Sequence, residues 1–585
     1  RFPYAGHLGM ALVPQVIDAI ESAKSTLLFT NTRRASETWF RALLEAKPEW
    51  AGQIAVHHGS LARARRRFVE DALKTGRLRC AVCTSSLDLG VDFPPVDRVL
   101  QVGSPKGVAR LLQRAGRSGH QPGRPSRITG VPTQAFELLE FAAAREAVDE
   151  GTIEAREPLI KPLDLLAQHI ITVAAGTGFV EDELLAELRS TYAYASLTDE
   201  EFRWALGFAV TGGEALKAYE QFQRLERFEG RWLVRTTQAL RAHRLSIGTI
   251  VGDADMQVQY LRGQKLGTVQ ESFISRLEPG DAFYLAGKTL QLVRVRDMKA
   301  YVRRAPANTD LAAIPRFTGS RLPLSMGLSD YVRRQLDRVR RDPFDSPEGE
   351  ALDPIFALQR RWSTIPASGE VLIERIQTRE GHHLFVYPFA GRLVHEGMAA
   401  VLALRMSRLV PITFVLSFND YGFALLSREP APLGEALDNG LFESETLEQD
   451  LQAALNETEM AKRQFREVAR IAGLVGAGLP GRGKSVRQLQ MSASLVYDVL
   501  TRYDPGNLLL RQARREALER QLERSRLHAA LERLAASDLV IETPPRLTPL
   551  AFPLWAERMQ EKVSSEKLAD RIRRQVLRLE RAART

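Results

Sequence analysis

Over the first 150 residues, apolar positions fall into short blocks separated by stretches of helical spacing. The blocks Thr26–Thr30, Ile54–His58, Arg79–Thr84 and Arg98–Val102 predict strands, and Ala35–Ala46 and Arg63–Thr75 predict helices between them. This alternation implies a parallel sheet, because parallel neighbours need a crossover long enough to return over the sheet face. From about 151 to 245 the pattern turns helical. One helix opens after Pro162, others cover Glu181–Ser190 and Asp199–Thr211, and Phe228–Val234 reads as a hairpin wing. Helices followed by a wing predict a winged-helix domain, a common nucleic-acid module. From Gly248 the period shifts to two. Met256–Leu261, Gly267–Gln270, Asp281–Leu285 and Leu290–Val295 are short runs between glycine turns, and they predict a small antiparallel barrel. Strands at Glu370–Ile376, His383–Pro388 and Ile412–Ser417 then mix with helix, and from Gln464 the chain is mainly helical. In Arg511–Ala536 and Ser565–Thr585, Arg and Leu recur at helical spacing, the pattern of a solvated helix face.

A length of 585 residues allows several domains, each with an ample core. Lys and Arg exceed Asp and Glu by 81 to 71, a net charge of +10. That excess suits a polyanionic partner without requiring one. No apolar run is long enough for a membrane span and Arg1-Phe-Pro-Tyr is not a signal peptide, so the expected location is cytoplasmic and nucleoid-associated. The two cysteines, Cys80 and Cys83, have C-x-x-C spacing. Residues three apart on a strand face opposite ways, and no second Cys/His pair follows, so buried thiols are expected and no metal site.

Chemistry concentrates in two segments. In Cys80–Asp92, an apolar strand end runs into Thr84-Ser85-Ser86, and Gly90-x-Asp92 lets backbone approach a ligand closely. In Gln113–His120, Gln113-x-x-Gly116-Arg117 sets guanidinium groups beside a glycine turn. A phosphoryl group in transfer needs such fixed positive charge from a neighbouring lobe. These segments resemble motifs V and VI of superfamily 2 helicases, in the form carried by large helicase-related (Lhr) proteins of the ligase-associated DEXH-box branch. Thr26–Arg34 resembles motif IV, His57–Leu61 the backbone-touching segment after it, and Gly103–Arg110 the approach to motif VI. Segments matching in this order are together a far stronger signal than any one alone.

The resemblance extends over essentially the whole chain. It implies a RecA-like second helicase lobe at 1–150, a winged helix at 151–245 and an Lhr-specific domain at 246–585, with a small β-barrel before a mixed and helical region. The fold class is thus multidomain, α/β plus α+β. It implies an ATP-dependent helicase that translocates 3′ to 5′ on single-stranded DNA and unwinds DNA or RNA:DNA duplexes, with a repair ligase and nuclease as partners through the branch. Arg117 would be the arginine finger, Arg114 would face the phosphates and Gln113 would orient the site. Gly90 and Asp92 would face nucleotide and ribose. Thr30, Asn31, Arg33, Arg34, Ser60, Thr84 and Ser85 would hold strand phosphates. Ile250 would contact the strand, and Phe317 stands where relatives are expected to stack a tryptophan on a base. His120 replaces the second arginine that many superfamily 2 proteins carry, leaving open whether one finger or two act.

ATP and Mg²⁺ would both require a first RecA lobe. No Walker A lysine or Asp-Glu-x-His box precedes motif IV, so the chain alone is expected to bind nucleic acid without hydrolysing ATP. Two other readings compete with the helicase. One is a non-enzymatic nucleic-acid-binding module. The other is an independent P-loop NTPase, because Gly478–Ser485 matches G-x-x-x-x-G-K-S as a string. Against the P-loop, apolar residues at 465, 468, 471, 472 and 475 have helical spacing, so no buried strand leads into the loop. His57 and His58 are adjacent without a third ligand nearby and read as structural.

Overall fold

The computed structural model describes residues 9–88, 96–119, 125–154, 158–249, 255–261, 263, 265–270, 279–285, 288–296, 299–305, 324–454, 457–475, 478–479, 482–483, 486–562 and 566–584. The chain forms two compact units. One comprises Arg1–Glu154, Asp255–Ala454 and Ser525–Thr585, the other Ala155–Ala254 and Leu455–Arg524.

The first unit opens with a five-stranded sheet: β1 (Thr26–Thr30), β2 (Ile54–His57), β3 (Cys80–Cys83), β4 (Arg98–Val102) and β5 (Ile128–Val131), in the order β2-β3-β1-β4-β5. Every pairing is parallel. Four strands lie where the apolar blocks predict them; β5, with its exposed middle, carries no such signal. Helices cover both faces, so β1 is buried along its whole length and reads as one apolar run. Leu28, Cys80 and Val82 pack with Trp39 and Leu43 on one face, and Leu27, Phe29 and Cys83 pack with Val69 and Leu73 on the other. The two cysteines therefore face opposite ways. Burial pushes the Cys80 thiol up to about 12 and the Cys83 thiol well above its ordinary range.

The second unit holds the helices Leu163–Ala174, Glu181–Arg189 and Asp199–Thr211 and the hairpin β6 (Leu225–Phe228) and β7 (Arg231–Val234), as the pattern predicts. Thr198 and Glu201 form a capping box at the third helix. The sequence places the helices Glu457–Ile471 and Val486–Tyr503 with the last domain, but their apolar stripes bury here. Phe465, Val468 and Tyr497 share a core with Leu166, Ile170 and Phe208. Arg224 is buried beside them and donates to the carbonyls of Phe208, Ala209 and Ala472. Two helix C-termini thus converge on one cation, where their dipoles favour positive charge. Between Glu457–Ile471 and Val486–Tyr503, Gly478–Leu479 pairs with Arg482–Gly483 as a short hairpin. The element before it is a helix rather than the strand a P-loop needs, and Lys484 and Ser485 lie outside the described residues.

The rest of the first unit holds two more sheets. Strands β8 (Asp255–Tyr260), β9 (Lys265–Gln270), β10 (Ala282–Leu285), β11 (Lys288–Arg296) and β12 (Lys299–Arg304) pair in the order β10-β11-β12-β8-β9. The expected barrel is not purely antiparallel, because β12 and β8 pair in parallel. A five-stranded meander that curls back brings its first and last strands together pointing the same way. Among the described residues no pairing joins β10 to β9, so closure is not shown. Backbone meets backbone where β9 passes the Ser60 carbonyl, which accepts from the Thr268 N–H; a Cβ at Gly267 would collide with it.

The third sheet contains β13 (Glu370–Thr378), β14 (Gly381–Val386), β15 (Val415–Phe418) and β16 (Phe423–Ser427) in the order β15-β16-β14-β13, with the strand Asp538–Glu542 parallel to β13. Its core is continuous with the helix Glu137–Asp149, through Leu139, Ala143, Tyr331, Phe356 and Phe385. The Arg-rich stretch 511–536 is two helices, Leu508–Leu522 and Arg524–Ala535, broken at Glu523 in a left-handed conformation (φ 48°). No helix among the described residues is long and apolar enough to cross a membrane.

Candidate nucleotide and nucleic-acid site

The chain leaves β3 on one side of β1 and re-enters the sheet at β4 on the other. The carboxyl ends of β1, β3 and β4 therefore form the switch point, where open parallel sheets place their ligands. Three loops meet there: Asn31 follows β1, Thr84 to Asp88 follow β3, and Gly103 and Ser104 follow β4. The helix Val108–Ala115 delivers Arg114, which is 1% exposed. Its Nε donates to Asp88 Oδ1 at 3.0 Å, its Nη2 to Asp88 Oδ2 at 3.3 Å and its Nη1 to Gln101 Oε1 at 2.5 Å. The guanidinium also lies over the Phe29 ring, 4.9 Å from its centroid. Asn31 ties the loops together, donating to the Ser104 carbonyl at 2.5 Å and accepting from Gln101 and Arg114. Arg117, half-buried, donates Nη2 to the Asp88 carbonyl at 2.7 Å.

The residues singled out in the sequence do not all stand alike. Arg114 was expected to face phosphate; its fork is instead spent inside the lobe, because a buried guanidinium needs carboxylate and carbonyl partners. Thr30 is also enclosed. Its hydroxyl bonds Ser36 at 2.7 Å and the Thr32 carbonyl at 3.0 Å, which fixes the turn into the helix Arg33–Ala46. Ser60 is fully buried and accepts from Arg33 at 2.5 Å, so Arg33 stands outward of it. Arg34, Ser85 and Gln113 are exposed, and Thr84 is largely buried at the end of β3. Gly90, Asp92, His120, Ile250 and Phe317 lie outside the described residues.

The histidines have structural partners. His57 meets Ser86 at 2.8 Å and Glu70 at 3.0 Å, and His58 meets Glu37 at 3.0 Å. Burial lowers the His57 pKa despite Glu70. Among the described residues no three potential metal ligands gather.

Sequence reasoning missed the polar spine behind the site. Asp88, Gln101 and Ser104 connect the loops, and Lys106, with its left-handed backbone (φ 64°), follows directly. Its ammonium bridges Glu140 at 2.7 Å and Asp420 at 3.0 Å, and the Tyr421 hydroxyl donates to Glu140 at 2.5 Å. Burial alone would lower the Lys106 pKa, but Asp420 and Glu140 outweigh it and raise it. The available signal was Gln101, a polar residue inside the otherwise apolar run Val99-Leu100-Gln101-Val102.

A parallel sheet whose switch point carries these loops and an arginine helix defines the C-terminal lobe of a helicase. A family model for the helicase conserved C-terminal domain accordingly matches residues 10–121. The winged-helix domain of large helicase-related proteins matches 146–311, and the DEAD/H-associated domain matches 365–551. The chain belongs to the large helicase-related family. It is 30% identical over 569 residues to the ATP-dependent helicase Lhr-Core protein 2 of Thermococcus barophilus, covering 94% of this chain and 66% of that protein. It is 28% identical to the ATP-dependent helicase Lhr-Core of Methanocaldococcus jannaschii, covering 92% and 63%. The chain thus spans somewhat under two-thirds of the length of these relatives. The fold matches that of Mycobacterium smegmatis helicase Lhr bound to ssDNA and AMP-PNP, with a TM-score of 0.70 at 24% identity over 92% of this chain and 67% of that one.

Proposed function

We propose that this chain is the C-terminal portion of an ATP-dependent 3′-to-5′ DNA helicase or translocase that tracks single-stranded DNA, unwinds duplexes and acts in DNA repair. The observation that carries the reading is the Arg114–Asp88 pair at the sheet's switch point, with Arg117 anchored on the same Asp88. The relatives' names as ATP-dependent helicases support it.

The described residues suit one side of a nucleotide. ATP with Mg²⁺ supplies the phosphoryl group whose charge the site must meet. Arg117 is the finger, held by the Asp88 carbonyl so that its charge is aimed before the phosphates arrive. Arg114 is a positioning residue: its two bonds to Asp88 fix the start of the loop after β3. Gly90 and Asp92 serve as contacts to nucleotide and ribose. Gln113, exposed on the same helix, orients the site from its open face. Asn31, Arg33, Arg34, Thr84 and Ser85 hold strand phosphates without reading bases, and Ser60 supports Arg33. Ile250 and Phe317 contribute apolar and stacking contacts. ATP turnover and processive unwinding belong to the chain joined to a first RecA lobe; alone, the chain binds single strands. A repair ligase and nuclease are the partners that the ligase-associated branch suggests.

The test compares ATP hydrolysis by this chain with that of a chain extended through a first lobe. DNA-stimulated activity in the extended chain only is expected. Activity in the short chain that Lys484→Ala abolished would replace this reading with a P-loop NTPase.

A further inference from the structure

A cavity sharing no residue with the switch-point site lies at one end of the third sheet, beside the turn between β13 and β14. Its volume is about 900 Å³. Three separate segments bring an arginine to it: Arg379 from the turn between β13 and β14, Arg546 from the stretch after the strand Asp538–Glu542, and Arg578 from the helix Glu566–Arg584. All three are exposed, and among the described residues none forms an ion pair. Arg546 instead lies over the Trp362 ring at 5.1 Å. The carboxylate at the rim, Glu380, accepts from the Trp555 indole N–H at 3.3 Å. Arg361 donates to the Ala582 and Ala583 carbonyls, anchoring the end of the helix that carries Arg578.

Three arginines and one carboxylate line the cavity, and this excess of positive charge points to an anion. A guanidinium fork matches the paired oxygens of a phosphate. Around the arginines, Gln377 and Gln575 offer amide donors and acceptors, while Leu547 and Leu579 form an apolar wall. Cavities of roughly 300–1,000 Å³ with an apolar wall and a few polar groups are the size that takes small ligands. We propose that this cavity binds a phosphorylated nucleotide, either free or as the phosphate-bearing end of a strand. The arginines hold the phosphate, the glutamines meet the sugar or base edge, and the apolar wall covers a base face. The proposal stands apart from the motor reading, because none of its residues belongs to the lobe of β1–β5.

Isothermal titration of the chain with dAMP, with inorganic phosphate, and with a short oligothymidylate with or without a 5′-phosphate tests it. Saturable dAMP binding is expected, at least about tenfold weaker in the double variant Arg379→Ala/Arg578→Ala, a loss of about 1.4 kcal/mol or more. Lys217→Ala, which removes an exposed cation of the second unit, should leave it unchanged. Arg578→Lys, which keeps the charge but not the fork, should bind between the two. Preference for the phosphorylated oligonucleotide over its hydroxyl form would identify a strand end as the ligand, and equal oligonucleotide binding beside tight dAMP binding a free nucleotide. Three outcomes would overturn the proposal: no binding of dAMP or the phosphorylated strand, full binding by the double variant, or inorganic phosphate competing as well as dAMP.

Discussion

Arg114 and Asp88 form a two-point ion pair inside the lobe, at 3.0 and 3.3 Å, with the arginine 1% and the aspartate 5% exposed. Breaking such a pair on one side strands a buried charge. Arg114→Met should therefore destabilise the lobe by about 3–5 kcal/mol, while Arg114→Met with Asp88→Leu should recover much of the loss. Denaturant unfolding of the parent and the two variants measures this. A single variant as stable as the parent would mean that water reaches the pair.

Arg117 differs in its consequence, because it is only half-buried and its anchor is a backbone carbonyl. In a protein completed by its first lobe, Arg117→Ala should lower ATP turnover by about 10³–10⁵, the range arginine fingers supply, while strand affinity stays near that of the parent. Turnover within a few-fold of the parent would remove Arg117 from the chemistry.

The proposed strand contacts are hydroxyls, amides and arginines directed at phosphate. Affinity for single strands should therefore fall steeply with salt and vary little with sequence. Arg34→Ala should lower the slope of log affinity against log salt by about one ion or less. Filter binding over a salt series checks both, and a flat salt profile would exclude a phosphate-tracking surface.

Local pattern revealed the parallel sheet because strands buried on both faces write themselves as apolar runs, as β1 does. The three helices and wing of the second unit were legible for a similar reason, their stripes being complete within about 90 residues. An apolar stripe such as the one through Phe465 and Val468 declares that it is buried but not against what, so its packing on Leu166 and Phe208 could not be read from the pattern. At the site, short motifs picked out Arg114 and Arg117 but not their division of labour. That division depends on Asp88, in the loop after β3, and on Gln101, on β4. Thr30 shows the same limit: a hydroxyl at the end of a strand reads alike whether it faces solvent or Ser36.

Asp164 provides a pH test of the second unit. It is 3% exposed at the start of the helix Leu163–Ala174. Its Oδ1 accepts from Gln512 Nε2 at 2.7 Å and from the Leu165 N–H at 2.8 Å. The same Gln512 amide donates to Glu516 at 2.7 Å, and the Tyr194 hydroxyl nearby is occupied by the Pro162 carbonyl. Burial pushes the Asp164 pKa up to about 6, Glu516 adds to the rise, and the hydrogen bonds only partly oppose it. An acid with a raised pKa in the folded state binds its proton more tightly there than in the unfolded chain. Folding is then favoured at low pH, and the advantage is lost as pH rises from about 4 through about 6, to a total of about 3 kcal/mol at most. Asp164→Asn keeps the acceptor oxygen and removes the charge. It should slow amide exchange in Leu163–Ala174 at about pH 7, leave it nearly unchanged at about pH 4, and flatten the stability profile between them. Glu516→Gln separates the two carboxylates, since it should lower the Asp164 pKa while leaving the aspartate's own burial in place. Faster exchange in Asp164→Asn at about pH 7 would show that the ionised carboxylate is stabilised where it lies.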